Sequence, residues 1–439
     1  MQGGASPSKK AAAGYPLPMT SDSTTPRRDP YAVLRVRDFR LLIIGRLLSS
    51  LGGEMLSFAV AWELWLRTHS VLALGVVGLA QVAPVIVLSL PGGHFADQHN
   101  RRRIMIAGQS IFALCAISLA LLSWMQGPVL VVYAVLLVIG MVRAFNDPAS
   151  STLVPETVPP GLFANAATWN SSAWQLASIT GPALAGVWVA TVHSVTWLYV
   201  FDACAIAAYV VLLSLIRGRH VPLARKAATL DSLKEGLQFM RKSRVIFAAI
   251  TLDMFAVLFG GAVALLPVYA TDILKVGPTG LGIMRAAPAV GALIMAFFLA
   301  HLPPLKNAGR TLLTAVVGFG LATIVFGLSR NLVLSVLMLA LLGALDNISV
   351  VIRATLMLTR VPDAMRGRIS AVNSLFISMS NELGTFESGF LASLVGPVIA
   401  VWGGGVGTIL VVAVVGGIFP EMRRLKSLAP QSQGVAHNE

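Results

Sequence analysis

The sequence has little charge and almost no cysteine. Charged residues make up 12% of the 439 residues, whereas soluble proteins carry about 25%. That scarcity excludes an ordinary soluble domain. The two cysteines, Cys115 and Cys204, both lie inside apolar segments. They are most simply core thiols, so neither a disulfide framework nor a metal site is expected.

Motifs for catalysis and nucleotide binding are also missing. No glycine-rich phosphate loop ending in Lys-Ser or Lys-Thr occurs, so the sequence gives no support for an ATP-driven pump. The seven histidines show no metal-ligand spacing, and neither a buried nucleophile–base pair nor a zinc helix stands out. The sequence therefore predicts a protein that is not an enzyme and that needs no cofactor or metal.

What the chain has instead is a series of long apolar runs. Hydrophobic residues make up 56% of the chain. About 20 such residues in a row are enough for a helix to cross a bilayer. The runs, separated by polar residues, predict twelve spans at about 39–66, 72–95, 104–126, 129–148, 163–190, 195–216, 245–272, 279–301, 310–329, 332–353, 370–394 and 398–419.

Positive charge is distributed unevenly between the two sides of the predicted membrane. Of the 33 Lys and Arg, only Arg67, Lys275 and Arg330 fall on one side, and two lie within spans. The others gather on the opposite side, which the positive-inside rule assigns to the cytoplasm. We therefore expect both termini to be cytoplasmic. The net charge of +14 is then a topology signal with lipid-headgroup contacts, and it requires no nucleic-acid partner.

The chain also repeats itself, which predicts two halves of six spans each. Four features recur in one register, 203 residues apart: Thr152-Leu153, Val158-Pro159, Asn170-Ser171 and Gly181 match Thr355-Leu356, Val361-Pro362, Asn373-Ser374 and Gly384. In such repeats the substrate site lies near the midplane between the halves. The predicted parts are a disordered basic arm (1–37), a half (38–216), a linker (217–244), a second half (245–420) and a tail (421–439). In the linker we expect an amphipathic helix on the inner membrane surface.

A polar segment between the second and third spans carries the most distinctive motif. Gly93, Asp97, Arg101 and Arg102 follow the pattern Gly-x-x-x-Asp-x-x-x-Arg-Arg. Gly93 has no Cβ and lets two helix ends approach closely, and charge-assisted hydrogen bonds can hold the loop to its neighbours. We expect a conformational latch with Asp97 as its key group. The pattern resembles the loop motif after the second helix of major facilitator superfamily transporters.

Ionisable residues inside the spans are few, and each is a candidate because charge in hydrocarbon is costly. The candidates for proton coupling or for the cavity are Glu54, Asp253, Arg285, Asp346 and Glu382. Glu54 could take up protons or could be permanently paired, and Asp253 is its counterpart in the other half. Arg285 needs an acidic partner, for which Asp253 and Glu382 are available, although it could also hold an anionic substrate.

Two further groups complete the candidate sites. Arg143 and Asp147 are spaced i,i+4 at the cytoplasmic end of span four, which predicts a local ion pair and a gate. Gly181, Pro182 and Gly186 interrupt span five, where proline bends a helix and glycine allows close packing. This resembles the Gly-Pro motif of drug:proton antiporters in the superfamily and favours export, although packing alone could require such a kink.

Two acidic residues within the spans are not assigned to the site. Glu63 lies about half a turn around the helix from Glu54, near the outer interface. That position predicts a solvated rim residue. Asp202 in span six has no evident partner in the sequence.

Four segments of the second half carry a closer resemblance, at 253–261, 285–292, 366–374 and 381–389. They look like the enterobactin-exporter-like bacterial branch of the major facilitator superfamily, and the similarity runs from about Asp38 to Arg424. It implies an all-α polytopic membrane protein with the major facilitator fold, whose twelve transmembrane helices form two pseudo-symmetric halves. It also implies a bacterial inner-membrane location and proton-driven export.

The resemblance and the buried charges together predict a secondary active transporter. We expect a proton-coupled exporter (antiporter) of small amphipathic molecules, such as siderophores or drugs, that works by alternating access. Its partners would be a small-molecule substrate, protons and the lipid bilayer, and the protein would be a monomer. Two alternatives stay open: a proton-coupled importer of a small nutrient, and a membrane scaffold or receptor that transports nothing.

Overall fold

The structure is a computed structural model that describes residues 29–217, 230–303 and 306–426, and these residues form helices without any strand. The helices are α1 Arg37–Thr68, α2 Val71–Gln98, α3 Arg101–Trp124, α4 Val129–Thr157, α5 Phe163–Val192, α6 Thr196–Leu215, α7 Leu230–Lys242, α8 Arg244–Phe259, α9 Leu266–Val268, α10 Gly277–His301, α11 Ala308–Leu328, α12 Leu332–Arg360, α13 Asp363–Val395, α14 Pro397–Ile418 and α15 Pro420–Arg423. A short 3₁₀ turn, Ala32–Arg35, precedes α1.

Eleven segments of the described chain are long and apolar enough to cross a membrane. The twelfth predicted span, 370–394, lies within α13, a helix of 33 residues. It is not among the eleven because Asn, Ser and Glu side chains, among them Glu382 and Glu387, interrupt its apolar residues. It nevertheless packs along α2 and α8 inside the bundle. The molecule is therefore a bundle of twelve membrane helices, of which α13 alone has no stretch as apolar as those of the other eleven.

The two halves of the bundle repeat each other in their helix boundaries. α4 and α12 begin and end 203 positions apart. The last residues of α2 and α10 are separated by the same interval, and so are the last residues of α5 and α13. The interval found in the sequence motifs is therefore also the interval of the three-dimensional repeat. The first half consists of α1–α6 and the second of α8–α14.

The bundle has two ends, which we name by their charge. The basic side contains the connections at 98–101, 157–163, 301–308 and 360–363, and the opposite side contains those at 68–71, 124–129, 192–196, 273–277, 328–332 and 395–397. On the opposite side three helices end at a residue with positive φ: His69 (47°), His193 (56°) and Gly396 (86°). Such left-handed residues terminate helices sharply, which permits these short connections.

The halves pack against each other through α5 with α10 and through α2 with α13. Small residues make the first contact possible. A Cβ at Gly186 would lie 2.6 Å from the Pro278 carbonyl oxygen, and one at Gly282 would lie 2.5 Å from the Pro182 carbonyl oxygen. Because helix association in membranes depends on close packing of small residues, this seam needs glycine on both sides.

The predicted span 245–272 is found as one apolar segment, Arg244–Ile273, but this segment is not one continuous α-helix. α8 ends at Phe259, a 3₁₀ turn covers Gly261–Leu265, and a π-helical turn covers Tyr269–Ile273. Gly260 and Gly261 follow α8 directly, and Pro267 lies in the short α9. Consecutive glycines and a proline weaken an α-helix, and hydropathy alone does not register that break.

The linker contains the predicted helix, α7, and the helix docks on α13. Met240 is buried among apolar residues that include Ile246 and Ile369. Glu235 forms an ion pair with Arg368, near the beginning of α13. The side chains of 230–234 lie outside the described structure. α7 is thus held to the second half, and its position on a membrane surface stays a prediction.

Candidate functional site

A central cavity of about 930 Å³ lies between the two halves. It is lined from both halves by apolar and aromatic side chains, such as Phe112 and Phe319, and by many polar ones. Its polar and charged side chains are Arg46, Ser49, Ser50, Ser57, Gln81, Gln109, Arg143, Asn146, Asp147, Ser150, Asn170, Asp202, Arg285, Asp346, Asn381, Glu382 and Thr385. Such a mixed lining suits a solute that carries both apolar and hydrogen-bonding groups.

The cavity is closed towards the opposite side. The Gly186–Gly282 seam lies within two turns of that end of α5 and α10. In the other seam, a Cβ at Gly389 of α13 would lie 2.5 Å from the Cα of Gly75. Trp65 adds a hydrogen bond across the halves, from its indole Nε1 to Oγ1 of Thr271 at 2.8 Å. These contacts leave the two halves packed together at this end.

The cavity continues towards the basic side. A second cavity of about 530 Å³, here called the vestibule, shares Arg46, Asp147, Ser150 and Asn170 with the first. Its other walls are Val154, Pro155, Phe163 and Ala167, which lie near the basic-side ends of α4 and α5. The polar lining thus extends between these two helices towards the end of the bundle where the basic loops lie.

Arg46 organises the charged groups of the first half. From α1, it donates hydrogen bonds to Oδ1 of Asn170 on α5, at 2.6 Å, and to the hydroxyl of Ser150 on α4. Asp147 interacts electrostatically with both Arg46 and Arg143. Sequence reasoning passed over Arg46, although its position inside a span, like that of Arg285, was a usable signal.

Arg143 joins the two halves. Its Nη1 lies 3.1 Å from Oε1 of Glu382 on α13 and 3.1 Å from Oε1 of Gln81 on α2. The direct partner of Arg143 is thus Glu382, and not the expected Asp147 one turn away on the same helix. Because Glu382 belongs to the second half, this ion pair is a bridge across the cavity.

The predicted partners of Arg285 are wrong. Asp253 pairs with Arg353, and Glu382 pairs with Arg143. Arg285 instead donates to Oγ of Ser57 at 2.8 Å. The carboxylate that interacts electrostatically with Arg285 is that of Glu54. Pairing within one half was the simplest expectation, but the guanidinium reaches across the interface to α1.

Glu54 itself lies behind the cavity wall. It faces α5, where Oγ of Ser178 lies 3.4 Å from its Oε1. A Cβ at Gly181 would lie 2.6 Å from the Cβ of Glu54. Glu54 is not among the residues that line the central cavity. Gly181 therefore has a packing role, since it makes room for Glu54.

The second half contains a sealed ion pair. Oδ2 of Asp253 on α8 lies 2.6 Å from Nη1 of Arg353 on α12, and both side chains are 7% exposed. Ser349 donates a hydrogen bond to the other oxygen of Asp253 at 3.2 Å. Asp253 is therefore not part of the central cavity wall, whereas Asp346, one helix turn from Ser349, is.

In the described structure, the contacts of the latch motif are made by its arginines. Nη1 of Arg101 lies 2.8 Å from Oε1 of Glu156 at the end of α4, and the two side chains are partly buried. Arg102 donates from Nε to the Leu213 carbonyl at 2.8 Å, so it caps the end of α6. The side chain of Asp97 lies outside the described structure. The sequence did not single out Glu156.

Close approach near the latch occurs at Gly92. A Cβ there would lie 2.3 Å from the Ala144 carbonyl oxygen of α4. The close approach predicted for the next residue, Gly93, stays a prediction. α2 continues to Gln98, so the segment 93–98 is helical and only the two residues between α2 and α3 form a loop.

Two further acidic residues, Glu63 and Asp202, are buried, and Asp202 lines the cavity. Glu63 is 9% exposed, accepts a hydrogen bond from the Tyr199 hydroxyl at 2.9 Å and pairs with Arg67 at 3.1 Å. The predicted solvated rim position is therefore wrong. Asp202 is 2% exposed and lines the cavity, and its Oδ1 has no hydrogen-bond partner among the described residues.

The part of the chain that the structure describes contains no cluster of three or more His, Cys, Asp and Glu side chains able to hold a metal ion. The site therefore consists of carboxylates, guanidinium groups, amides and hydroxyls. Two helical halves that enclose such a cavity, with one end packed shut, define a membrane transporter of the major facilitator type.

Comparison with known proteins gives the particular family. The model of the transmembrane secretion effector family, part of the major facilitator superfamily, matches residues 28–437. The chain belongs to this family. It is 25% identical to the enterobactin exporter EntS of Escherichia coli O1:K1 over 396 residues, which cover 90% of this chain and 94% of that one. The family and these relatives are transporters and not enzymes.

Solved structures share the fold. A bacterial homologue of the iron transporter ferroportin, in an inward-facing state, matches with a TM-score of 0.65 and 19% identity, over 88% of this chain and 98% of that one. A bacterial homologue of the lysosomal transporter Spinster, inward-facing and occupied, matches with a TM-score of 0.68 and 15% identity, over 90% and 97%. The twelve-helix major facilitator fold expected from the sequence is confirmed.

Proposed function

We propose that the protein is a proton-coupled exporter of small amphipathic molecules. The observation that carries the proposal is the central cavity of about 930 Å³, whose walls combine aromatic side chains with amides and three arginines. Similarity to an enterobactin exporter over 90% of the chain supports outward transport of a polar, ring-containing solute. The antiporter-like sequence Gly181, Pro182 and Gly186 is consistent with that direction.

The proposed membrane is the bacterial inner membrane, with the basic side in the cytoplasm, because basic loops face inwards. In that orientation the vestibule faces the cytoplasm, and the packed seams at Gly186 and Gly389 face the outside. The described state would load solute from inside. Export then requires the seams to separate and the basic side to close, which is the rocking motion of two repeated halves.

Charged contacts would set the balance between the two states. The Arg143–Glu382 bridge connects the halves while the outer end is packed shut. Protonation of Glu382 would remove its attraction to Arg143 and favour separation of the two halves at the outer end. Arg101 and Glu156 tie α3 to α4 within one half, which suits a latch that forms against neighbouring helix ends. Arg285 would meet an anionic group of the solute, since among the described residues its direct acceptor is a neutral hydroxyl, that of Ser57.

The test uses the full chain in proteoliposomes with an imposed proton gradient and with enterobactin as the probe. Enterobactin should move against its gradient when protons flow the opposite way, and an uncoupler should abolish that movement. Arg285→Gln should lower the rate at least about tenfold, because it removes a buried charge that faces the solute. Glu63→Gln is the matched control, since Glu63 lies apart from the cavity and binds Arg67.

Three outcomes would contradict the proposal. Enterobactin movement that is independent of the proton gradient would exclude proton coupling. Solute that moves together with protons towards the basic side would indicate an importer. Neither solute nor proton movement with enterobactin, and none with a panel of other siderophores, dyes and drugs, would indicate a scaffold or receptor.

A further inference from the structure

Two carboxyl groups and one guanidinium group lie together in the second half, between α8 and α12. Asp253 and Arg353 form the sealed pair, 2.6 Å apart. Asp346 interacts electrostatically with both of them. Two carboxyl groups thus lie within electrostatic range of one guanidinium group, which is in direct contact with Asp253. If both carboxylates were ionised, the cluster would carry one net negative charge inside the membrane.

Among the described residues, no further charged group interacts with this cluster. Asp253 and Arg353 are the charged groups that interact with Asp346 in the described structure. α11 contributes Val316 and Phe319 to the surroundings, α8 contributes Val257, and Ser349 supplies a neutral hydroxyl. An unpaired charge in the membrane interior is costly. One proton shared between the two carboxyl groups removes that cost.

The two carboxyl groups differ in their access to water. Asp253 is held by Arg353 and Ser349, and it does not line the central cavity. Asp346 does line it, and it also borders a cavity of about 10 Å³ that Asp253 and Ser349 share. A space of that size holds about one water molecule. A proton can therefore pass between cavity water and Asp346 while Asp253 keeps its ion pair.

We propose that Asp346 carries the coupling proton and that Asp253 and Arg353 position it. The step transfers one proton between a carboxyl oxygen of Asp346 and a water molecule of the cavity, and no other bond changes. Once Asp346 is ionised it competes with Asp253 for Arg353, which weakens the contact between α8 and α12. This inference deepens the proposed function, on which its coupling role rests, but the protonation itself is measurable without transport.

Infrared difference spectra of the full chain in proteoliposomes test the protonation. The probe is the proton, varied by exchange between acidic and alkaline buffer and between H₂O and D₂O. An Asp202→Asn background removes a buried carboxyl group that lines the cavity and whose Oδ1 has no hydrogen-bond partner among the described residues. We expect a C=O band of a protonated carboxyl group that shifts in D₂O and that Asp346→Asn abolishes. Glu63→Gln, which removes a carboxylate with its own arginine, should leave the band unchanged.

Conservative variants assign the proton to one of the two residues. Asp346→Glu should move the frequency of the band, whereas Asp253→Glu should leave it in place. The reverse pattern would place the proton on Asp253 and overturn the proposal. Absence of any pH-dependent band in the Asp202→Asn background would overturn it as well.

A third pair of variants tests the shared guanidinium. Asp253→Asn leaves Arg353 to Asp346 alone, so the arginine holds that carboxylate ionised and the band should disappear. Removing the arginine too, in Asp253→Asn with Arg353→Gln, should restore it. A merely structural Arg353 would give the same spectrum in both variants.

These outcomes are separable from failure of the proposed function. If the band behaves as expected and enterobactin does not move with protons, the protonation site stands and proton-driven export fails. If export is proton-coupled and Asp346→Asn retains it fully, another group carries the proton, and the inference about Asp346 is wrong.

Discussion

The two halves share one framework but place their charges differently. α4 and α12 begin and end 203 positions apart, so their residues can be compared position by position. Three equivalent pairs differ in chemistry: Arg143 with Asp346, Asn146 with Ser349, and Ser150 with Arg353. The first pair exchanges a cation for an anion at the same depth.

The halves also differ where α4 and α12 meet the first helix of their own half, because the cation lies on a different helix in each. In the first half the cation is Arg46 on α1, and its partner on α4 is the hydroxyl of Ser150. In the second half the cation is Arg353 on α12, at the position equivalent to Ser150, and the anion Asp253 lies on α8. Arg46 borders the cavity and the vestibule, whereas Arg353 is sealed.

Different side chains at equivalent positions allow the two halves of a repeated fold to differ in function. Arg46 and Arg143 border the cavity in the first half, as Arg285 does in the second, and can contact solute and water, so the first half takes part in binding. A sealed ion pair next to a second carboxyl group responds to a proton, so the second half is suited to coupling. The repeat supplies the same scaffold twice, and a few substitutions at equivalent positions give each copy its own task.

Breaking the sealed pair should have the largest effect. Arg353→Met leaves Asp253 as a buried charge without a partner, which costs about 3–5 kcal/mol. Arg46→Met in the first half should cost about 1–3 kcal/mol, because it removes hydrogen bonds to neutral groups beside a cavity. Unfolding in mixed micelles, titrated with denaturing detergent, measures both free energies.

The double variant Asp253→Leu with Arg353→Met is the control for this comparison. It replaces the pair by apolar side chains and should recover most of the stability, since hydrophobic replacements of buried pairs are often neutral or stabilising. Equal losses for Arg353→Met and Arg46→Met would show that the two halves do not differ in the way proposed.

The packed seam between the halves should give the next largest effect. Gly186→Leu places a side chain where the Pro278 carbonyl oxygen now lies, and overpacking of this kind costs about 1–3 kcal/mol. The overpacking destabilises only the state in which this seam is closed, so the opposite side should be open more often. In a variant without the native cysteines, Val263→Cys in the cavity wall should then react faster with an impermeant maleimide added from that side.

A glycine with free space around it separates this effect from a general loss of packing. No atom lies within 4 Å of a Cβ built at Gly403, so Gly403→Leu should leave the labelling rate of Val263→Cys unchanged. If both leucine variants accelerate labelling alike, the Gly186 seam does not control access.

The sequence was sufficient for the fold and insufficient for the pairing of its charges. Apolar length predicts helices because each span must satisfy its own backbone in the membrane, and the 203-residue interval predicts the second half from the first. Pairing depends on which helix faces which, and Asp253 and Arg353 are too far apart in sequence for any helical spacing to connect them. Glu63 shows the same limit, since Tyr199 reaches it from α6.

Residues of the site were identified as unusual, but not as partners. An ionisable residue in a span is visible in the sequence, so Arg285, Asp346 and Glu382 could be named. Arg46 carried the same signal and was passed over. The close approach at Gly92 and the partner Glu156 became evident only from tertiary contacts, because they depend on how α4 passes α2 and α3.

The bridge between the halves should give the smallest of these effects. Glu382→Gln removes the ion pair with Arg143, whose side chains are 43% and 25% exposed. Solvent screening limits such a pair to about 1 kcal/mol, which corresponds to roughly a fivefold change in a two-state equilibrium. Maleimide labelling of Val263→Cys from the opposite side should rise by about that factor, because one attraction across the cavity is lost.

A pair within one half provides the matched comparison. Glu156→Gln removes the contact with Arg101, which joins α3 to α4 and does not cross between the halves. It should lower the free energy of unfolding and leave the labelling rate in this packed state unchanged. The charge exchange Arg143→Glu with Glu382→Arg should return labelling to the parent rate. If Glu156→Gln raised labelling as much as Glu382→Gln, the bridge would have no special part in holding the halves together, and the equilibrium would instead follow the stability of the first half.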